Sequence, residues 1–272
     1  ASSLRDQRDK LLDQLGGYVQ IRTVEADDGQ ISAYLESTGD TLFSKTSANG
    51  LDVTYDAQGF RHVSISRSGE IIDLSDKMRS GRIGGYLKAR DDDLASYRQQ
   101  LNTLAENVIQ EFNAVHQAGF DLNGDPGEVL FEPDPPGANA AAAIRVNAEI
   151  QNDASLLAAA SAPGEAGNNG NALDLLALRE KNLPALSGVS LTDYSADIIA
   201  AVGSDHSSVQ ASQEASRTIV ESLEDKRQSV SGVSLDEEAA NLARWQQSFD
   251  AAARYLQTVN RLTEMALSIG GR

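Results

Sequence analysis

The chain has 272 residues, with 23 Lys+Arg against 40 Asp+Glu, and so a formal net charge of −17. That balance argues against nucleic acid or an anionic membrane as partner, since both are met by clustered Lys and Arg, and no apolar run reaches the roughly 18 residues that a spanning helix needs. With no Cys, three His and 5% aromatic residues, disulfides and thiolate chemistry are excluded, catalysis has few groups to use, and an elongated helical protein with thin seams is favoured.

The first residues lack the basic start and apolar block of a secretory signal. Residues 3–16 read as an amphipathic helix with Leu4, Leu11, Leu12 and Leu15 on one face, stopped by Gly16-Gly17. From Tyr18 the period changes to alternation. Val19, Ile21 and Thr23 precede a turn at Asp27-Asp28-Gly29, and Ile31, Ala33 and Leu35 follow it. Further turns at Thr38-Gly39-Asp40, Asn49-Gly50, Gln58-Gly59 and Ser68-Gly69 frame strands around 52–55 and 62–65. This spacing predicts a small antiparallel hairpin domain over 18–75.

A seam of 3.5-residue period follows, through Ile83, Leu87, Arg90, Leu94, Tyr97, Leu101, Leu104, Val108, Glu111 and Val115. It predicts a coiled-coil-type helix over 85–118, weakened at Gly84-Gly85 and ended by Gly119. The stretch 119–192 is looser. It holds a Pro-rich segment at 132–137, an Ala run at 140–143 and short helices expected around 154–160 and 171–178. A second, more polar seam runs from Ile199 through Val202, His206, Val209, Gln213, Ser216, Val220 and Leu223 to Val230. A third has Leu235, Leu242, Phe249 and Leu256 at sevens, with Trp245, Ala252, Val259 and Ala266 between them. Ser234 and Glu237 form a capping box at its start, and 235–269 would make a rod of about 50 Å. The expected fold is α+β, mainly α. A helical bundle (1–17 with 76–232) carries a small β domain (18–75) and a terminal helix (233–272) whose stripe must be covered by something else, because an uncovered ridge of that length is an association site.

The candidate sites for chemistry are weak. Asp121, Asn123, Asp125 and Glu132 match positions 1, 3, 5 and 12 of a calcium loop, but Pro126 replaces the Gly that position 6 needs. Asp91-Asp92-Asp93 diverge around a helix and read as a solvated face. His116, near a helix C-terminus, would suit the dipole as imidazolium. His62 lies in a strand pattern and His206 in the second seam, neither with a carboxylate or serine at relay spacing. The residues expected to carry contact are Leu235, Leu242, Trp245, Phe249, Leu256 and Val259.

Several stretches bring a family into view. The run from Ser231 to Leu242, followed by Gln246-Gln247-Ser248-Phe249, Ala251 to Arg254 and Thr258-Val259-Asn260, resembles the C-terminal signature of bacterial flagellar rod, hook and hook-associated proteins. The resemblance narrows to the hook-associated protein 1 family, at the hook–filament junction, through four further stretches. These are Leu4 to Asp9, Gly84 to Asp91, Leu101 to His116 with Gly119 to Asp125, and Asn152 to Ala160 with Asn168 to Leu173. It covers most of 1–18, 80–125 and 145–272. The resemblance implies a structural, non-enzymatic subunit without cofactor, exported through the flagellum's own channel to an extracellular location. Its implied partners are other copies, the hook protein, the second hook–filament junction protein and an export chaperone on the terminal helix. It also implies an N-terminal helical segment that this sequence lacks, and an outer insertion reduced here to the Pro/Ala stretch. The alternatives are another axial protein, such as a hook or flagellin-like junction subunit, and, from a different class, a calcium-responsive binding module using 121–132.

Overall fold

The computed structural model of the protein describes residues 2–57, 59–67, 69–135, 138–165, 167–231 and 235–270. They divide into two units, 1–200 and 201–272, and the architecture is α+β, mainly α.

In the first unit, α1 (Ser2–Tyr18) runs through the glycine pair expected to stop it. Each Gly costs a helix about 1 kcal/mol relative to Ala. The helical pattern nevertheless continues, with the Val19 N–H donating to the Leu15 carbonyl at 3.0 Å, and the last turn is held from outside by the Arg82 guanidinium, 5.2 Å from the centre of the Tyr18 ring. Six strands follow: β1 (Ile21–Glu25), β2 (Ile31–Leu35), β3 (Thr41–Phe43), β4 (Leu51–Tyr55), β5 (Arg61–Arg67) and β6 (Glu70–Asp73). They make two three-stranded antiparallel sheets, β1-β2-β3 and β4-β5-β6. The alternation along 31–35 is seen as buried Ala33 and Leu35. These join Val19, Leu42, Ile65, Leu74, Met78 and Leu87 in one apolar core. Buried Asp40, from the turn before β3, pairs with Arg67 at the end of β5 and so ties the two sheets together.

The long helix begins at Gly81, four residues before the expected start. It consists of α2 (Gly81–Lys88), a π-helical turn (Ala89–Asp93) and α3 (Leu94–Ala118), with Gly119 at its C-cap. The π turn carries one residue more than an α turn and therefore rotates everything beyond it. The stripe that is continuous in sequence is thus not continuous in space. Leu87 is buried in the sheet core, whereas Leu94 and Leu101, its successors at sevens, are exposed. Further along, Leu104, Val108 and Phe112 pack against a second core of Leu183, Leu186 and Leu191.

The segment after α3 is more ordered than its composition suggests. β7 (Phe131–Pro133) pairs with β8 (Ile144–Val146) around the short α4 (Ala140–Ala143). This hairpin has no alternating signal and was not expected. The helix expected around 154–160 is a single 3-10 turn, Ala154–Leu156, capped by the Asp153 side chain. Beyond it, Ala160 bridges to Phe120 instead. Short α5 (Ala148–Asn152) precedes that turn, and α6 (Gly170–Ala177) lies close to the expected 171–178. Two long helices end the described chain: α7 (Leu191–Ser231) and α8 (Leu235–Gly270). Ser234, the expected cap of α8, lies outside the described residues. No helix among the described residues is long and apolar enough to cross a membrane.

Candidate assembly surface

The α8 helix follows its heptads, but among its described side chains it buries almost nothing. Of its described residues from 239 to 264, all are exposed except Ala253, which is half-buried. At about 100° per residue, Leu242, Trp245, Phe249, Leu256 and Val259 fall within an arc of roughly 100°. Trp245 is 75% exposed and Phe249 76%. The Leu235 side chain lies outside what is described. Tyr255 and Leu262, also exposed, widen the stripe on one flank. They were not among the expected residues, although their place seven apart beside the seam is a signal that could have found them. Between 239 and 264 the charged residues are Arg244, Arg254 and Arg261 against Asp250 and Glu264, a small positive excess in a strongly acidic chain. Arg254 and Arg261 lie on the side of the helix away from the seam, whereas Glu264 lies about 40° from the Leu242 edge of the stripe.

The second seam behaves in the same way. Leu191 and Ile198, near the start of α7, are buried, yet every residue from 202 to 229 is exposed, Val209, Val220 and Leu223 included. A further apolar surface belongs to the first unit. A groove between α3, α6 and the first turns of α7 is lined by Leu104, Val108, Phe112, Leu175, Leu176 and Leu191.

Side chains that looked like candidates for chemistry are instead used to fix backbone. His116 has no exposed surface. Its Nδ1 lies 2.7 Å from the Glu128 carbonyl oxygen, and its Nε2 accepts the Ala158 N–H at 2.9 Å. A carbonyl requires a proton on Nδ1 and an N–H requires a lone pair on Nε2, so this arrangement takes the neutral Nδ1–H tautomer. The imidazolium suited to the helix dipole is not what the site holds. One turn earlier, the Asn113 Oδ1 accepts from the N–H groups of Leu130 and Phe131, and its Nδ2 donates to the Phe131 carbonyl. Asn171, buried, donates from Nδ2 to the Ala158 carbonyl at 2.6 Å. Gly127 passes so near His116 that a Cβ there would lie 2.2 Å from the His116 carbonyl oxygen and 2.5 Å from the Ala158 Cβ. The end of α3 is therefore a latch that clamps two later stretches of chain, 128–131 and Ala158, through side chain to backbone bonds.

The acidic loop after it is self-contained. The Asp121 carboxylate accepts from the backbone N–H groups of Asn123 and Asp125 at 2.8 and 2.9 Å. Burial raises the Asp121 pKa, but these donors outweigh it and hold the carboxyl below its ordinary range. Asp121 is buried whereas Asn123, Asp125 and Glu132 are exposed, so the four do not converge as a calcium loop requires. Asp91, Asp92 and Asp93 each face a separate cation, Arg90, Arg79 and Lys88 respectively. His62, by contrast, does have carboxylate neighbours that no sequence spacing revealed. Asp56 comes from the turn before its strand and Asp73 from the end of the next.

Comparison with known proteins gives these features a setting. A family profile described as the flagellar hook-associated protein FlgK helical domain matches residues 1–131, and one described as the flagellar basal body rod FlgEFG protein C-terminal region matches residues 226–269. Flagellar hook-associated protein 1 of Escherichia coli K12 is 24% identical over an alignment of 352 residues, covering 98% of this chain and 64% of that protein. The Bacillus subtilis protein of the same name is 26% identical, covering all of this chain and 60% of its own. The chain thus spans about three fifths of the length of these relatives. The structure of the flagellar hook junction protein FlgK from Burkholderia pseudomallei is 25% identical over 48% of this chain and 25% of that one, with a TM-score of 0.44.

Proposed function

We propose that this chain is a member of the flagellar hook-associated protein 1 family and works as a structural subunit at the hook–filament junction of the bacterial flagellum, outside the cell. The observation that carries the reading is the bare apolar stripe of α8. Burying a large apolar side chain contributes about 1.5–3 kcal/mol. The five residues Leu242, Trp245, Phe249, Leu256 and Val259 thus offer on the order of 10 kcal/mol gross, before the cost of immobilising two partners. A stripe left open on one chain and covered by neighbours is what a filament subunit needs, because contacts that do not close on themselves propagate.

In this reading 233–272 is the assembly helix, 18–75 a small β domain, and 1–17 with 76–232 the helical body. Its partners are other copies, the hook protein on one side and the second junction protein on the other, with an export chaperone sheathing α8 beforehand. The subunit is not an enzyme. In support, the latch histidine is saturated by backbone groups and the acidic loop by its own N–H donors. The match of 226–269 to a rod-protein profile also suits a different axial position, which cross-linking of α8 to its neighbours would identify.

The test is the double substitution Leu242→Asp with Phe249→Asp. The isolated variant keeps the melting behaviour of the first unit, since surface changes of this kind fall within about 0.5 kcal/mol, while co-purification with copies, hook protein, second junction protein and chaperone is lost. Co-purification that survives intact would overturn the reading.

A further inference from the structure

His62 and His116 are held in opposite ways. A carbonyl and an N–H flank His116, a combination that one proton satisfies. Carboxylate oxygens flank both nitrogens of His62: Asp73 Oδ2 lies 2.8 Å from Nδ1 and Asp56 Oδ2 3.4 Å from Nε2. A carboxylate only accepts, so neutral imidazole must turn one lone pair toward an oxygen, and only the doubly protonated ring meets both sides. Nδ1 is sealed from solvent and, close as it is to Asp73, is not aligned for a hydrogen bond. What remains across that gap is charge against charge.

The three residues come from different parts of one sheet. His62 is on the central strand β5, Asp56 in the turn between β4 and β5, and Asp73 at the end of β6. The π turn of the long helix meets the same rim. Arg90 lies 6.0 Å from the centre of the Phe60 ring and donates to the Arg61 carbonyl, while its guanidinium is paired with Asp91. The charged groups around His62 are therefore Asp56, Asp73 and Asp91 on one side of the balance and Arg90 on the other. A positive imidazolium brings that cluster nearer to neutrality.

We propose that Asp56, His62 and Asp73 form a pH-operated clasp, in which the imidazolium binds the β4–β5 turn and the end of β6 to the central strand and its deprotonation loosens the rim on which the π turn is seated. The shifts of both partners agree in sign. His62 is raised above its ordinary 6.5, by its hydrogen bond to Asp56 first, against burial, and by the Asp73 charge. Asp73 is lowered: burial opposes this, but the Ser75 donors and His62 prevail. A raised histidine contributes its stabilisation fully below 6.5 and loses it as pH climbs through the higher folded value. The Asp73 contribution is present above its ordinary 3.8 and is lost as pH falls through the lower folded value. The clasp is closed between those two folded values.

The experiment is an NMR titration of the three histidine rings in the full chain, with exposed His206 as reference. Amide exchange of 61–73 is followed in parallel and corrected for the chemical rate. His62 is expected to titrate with a midpoint above 6.5, and Asp73→Asn is expected to move that midpoint back down. Exchange of the β5 and β6 amides should rise several-fold as pH passes the midpoint, and His62→Gln should abolish that rise. A midpoint at or below 6.5, or protection that ignores the midpoint in the wild-type chain, would overturn the clasp. Neither result bears on assembly through α8.

Discussion

The helix 94–118 and the helix 235–270 have nearly the same sequence period and opposite fates. In the first, Leu104, Val108 and Phe112 find a second layer in Leu183, Leu186 and Leu191, and the residues beyond them lock later loops in place. In the second, every large apolar side chain described faces solvent. A heptad repeat thus states that a helix has a face and says nothing about whose residues will cover it. What separates the two is the chain around them. The stretch 119–192 supplies donors, acceptors and short apolar segments to α3, while 239–264 has no described residues packed over it.

The contrast can be broken most severely at the latch. Gly127→Ala places a methyl group against the His116 carbonyl and the Ala158 side chain. Close-packed backbone has nowhere to move, so a loss of about 3 kcal/mol is expected, read as a fall in the urea midpoint. His116→Ala empties a buried site and leaves the Glu128 carbonyl and the Ala158 N–H without partners. A cost of about 2–3 kcal/mol follows from the cavity and the unmet groups, again read by chemical denaturation. On the open helix the expectation reverses. Trp245→Ala should alter the stability of the isolated chain by no more than about 0.5 kcal/mol, yet weaken assembly by about 2 kcal/mol, roughly thirtyfold, as a truncated interface anchor does. Equal losses in both measurements would erase the distinction between the two helices.

Periodicity and turn chemistry made most of the fold readable in advance. Four of the six strands of 18–75, β1, β2, β4 and β5, follow from alternation and turn residues, and α7 and α8 from their seams. β3, β6, the run of α1 through Gly16-Gly17 and the 3-10 turn in place of a helix at 154–160 were not expected, and three further features escaped for a physical reason. The π turn depends on how Arg79, Lys88 and Arg90 pair with three aspartates, and such pairing has no period. The β7–β8 hairpin is too short to alternate and is held by Asn113, more than a dozen residues away. His62 acquires its two carboxylates only when β4, β5 and β6 come together. The apolar stripe of α8 was legible because a stripe on a helix is local information, whereas the latch joins residues as far apart as His116 and Ala158.

The extra residue in the π turn carries a consequence for how this protein tolerates change. Deleting one residue between 89 and 93 would let an ordinary α turn form and would itself cost little locally. The turn would then close with one residue fewer, so the side chains downstream would keep nearly their present directions. Asn113 and His116, some twenty residues away, would still meet their backbone partners. Adding a residue to the same stretch is the harmful change: with no second bulge to absorb it, everything beyond would swing by about 100° around the axis, and a single-codon gain at an exposed, charged stretch would act as a frameshift in three dimensions.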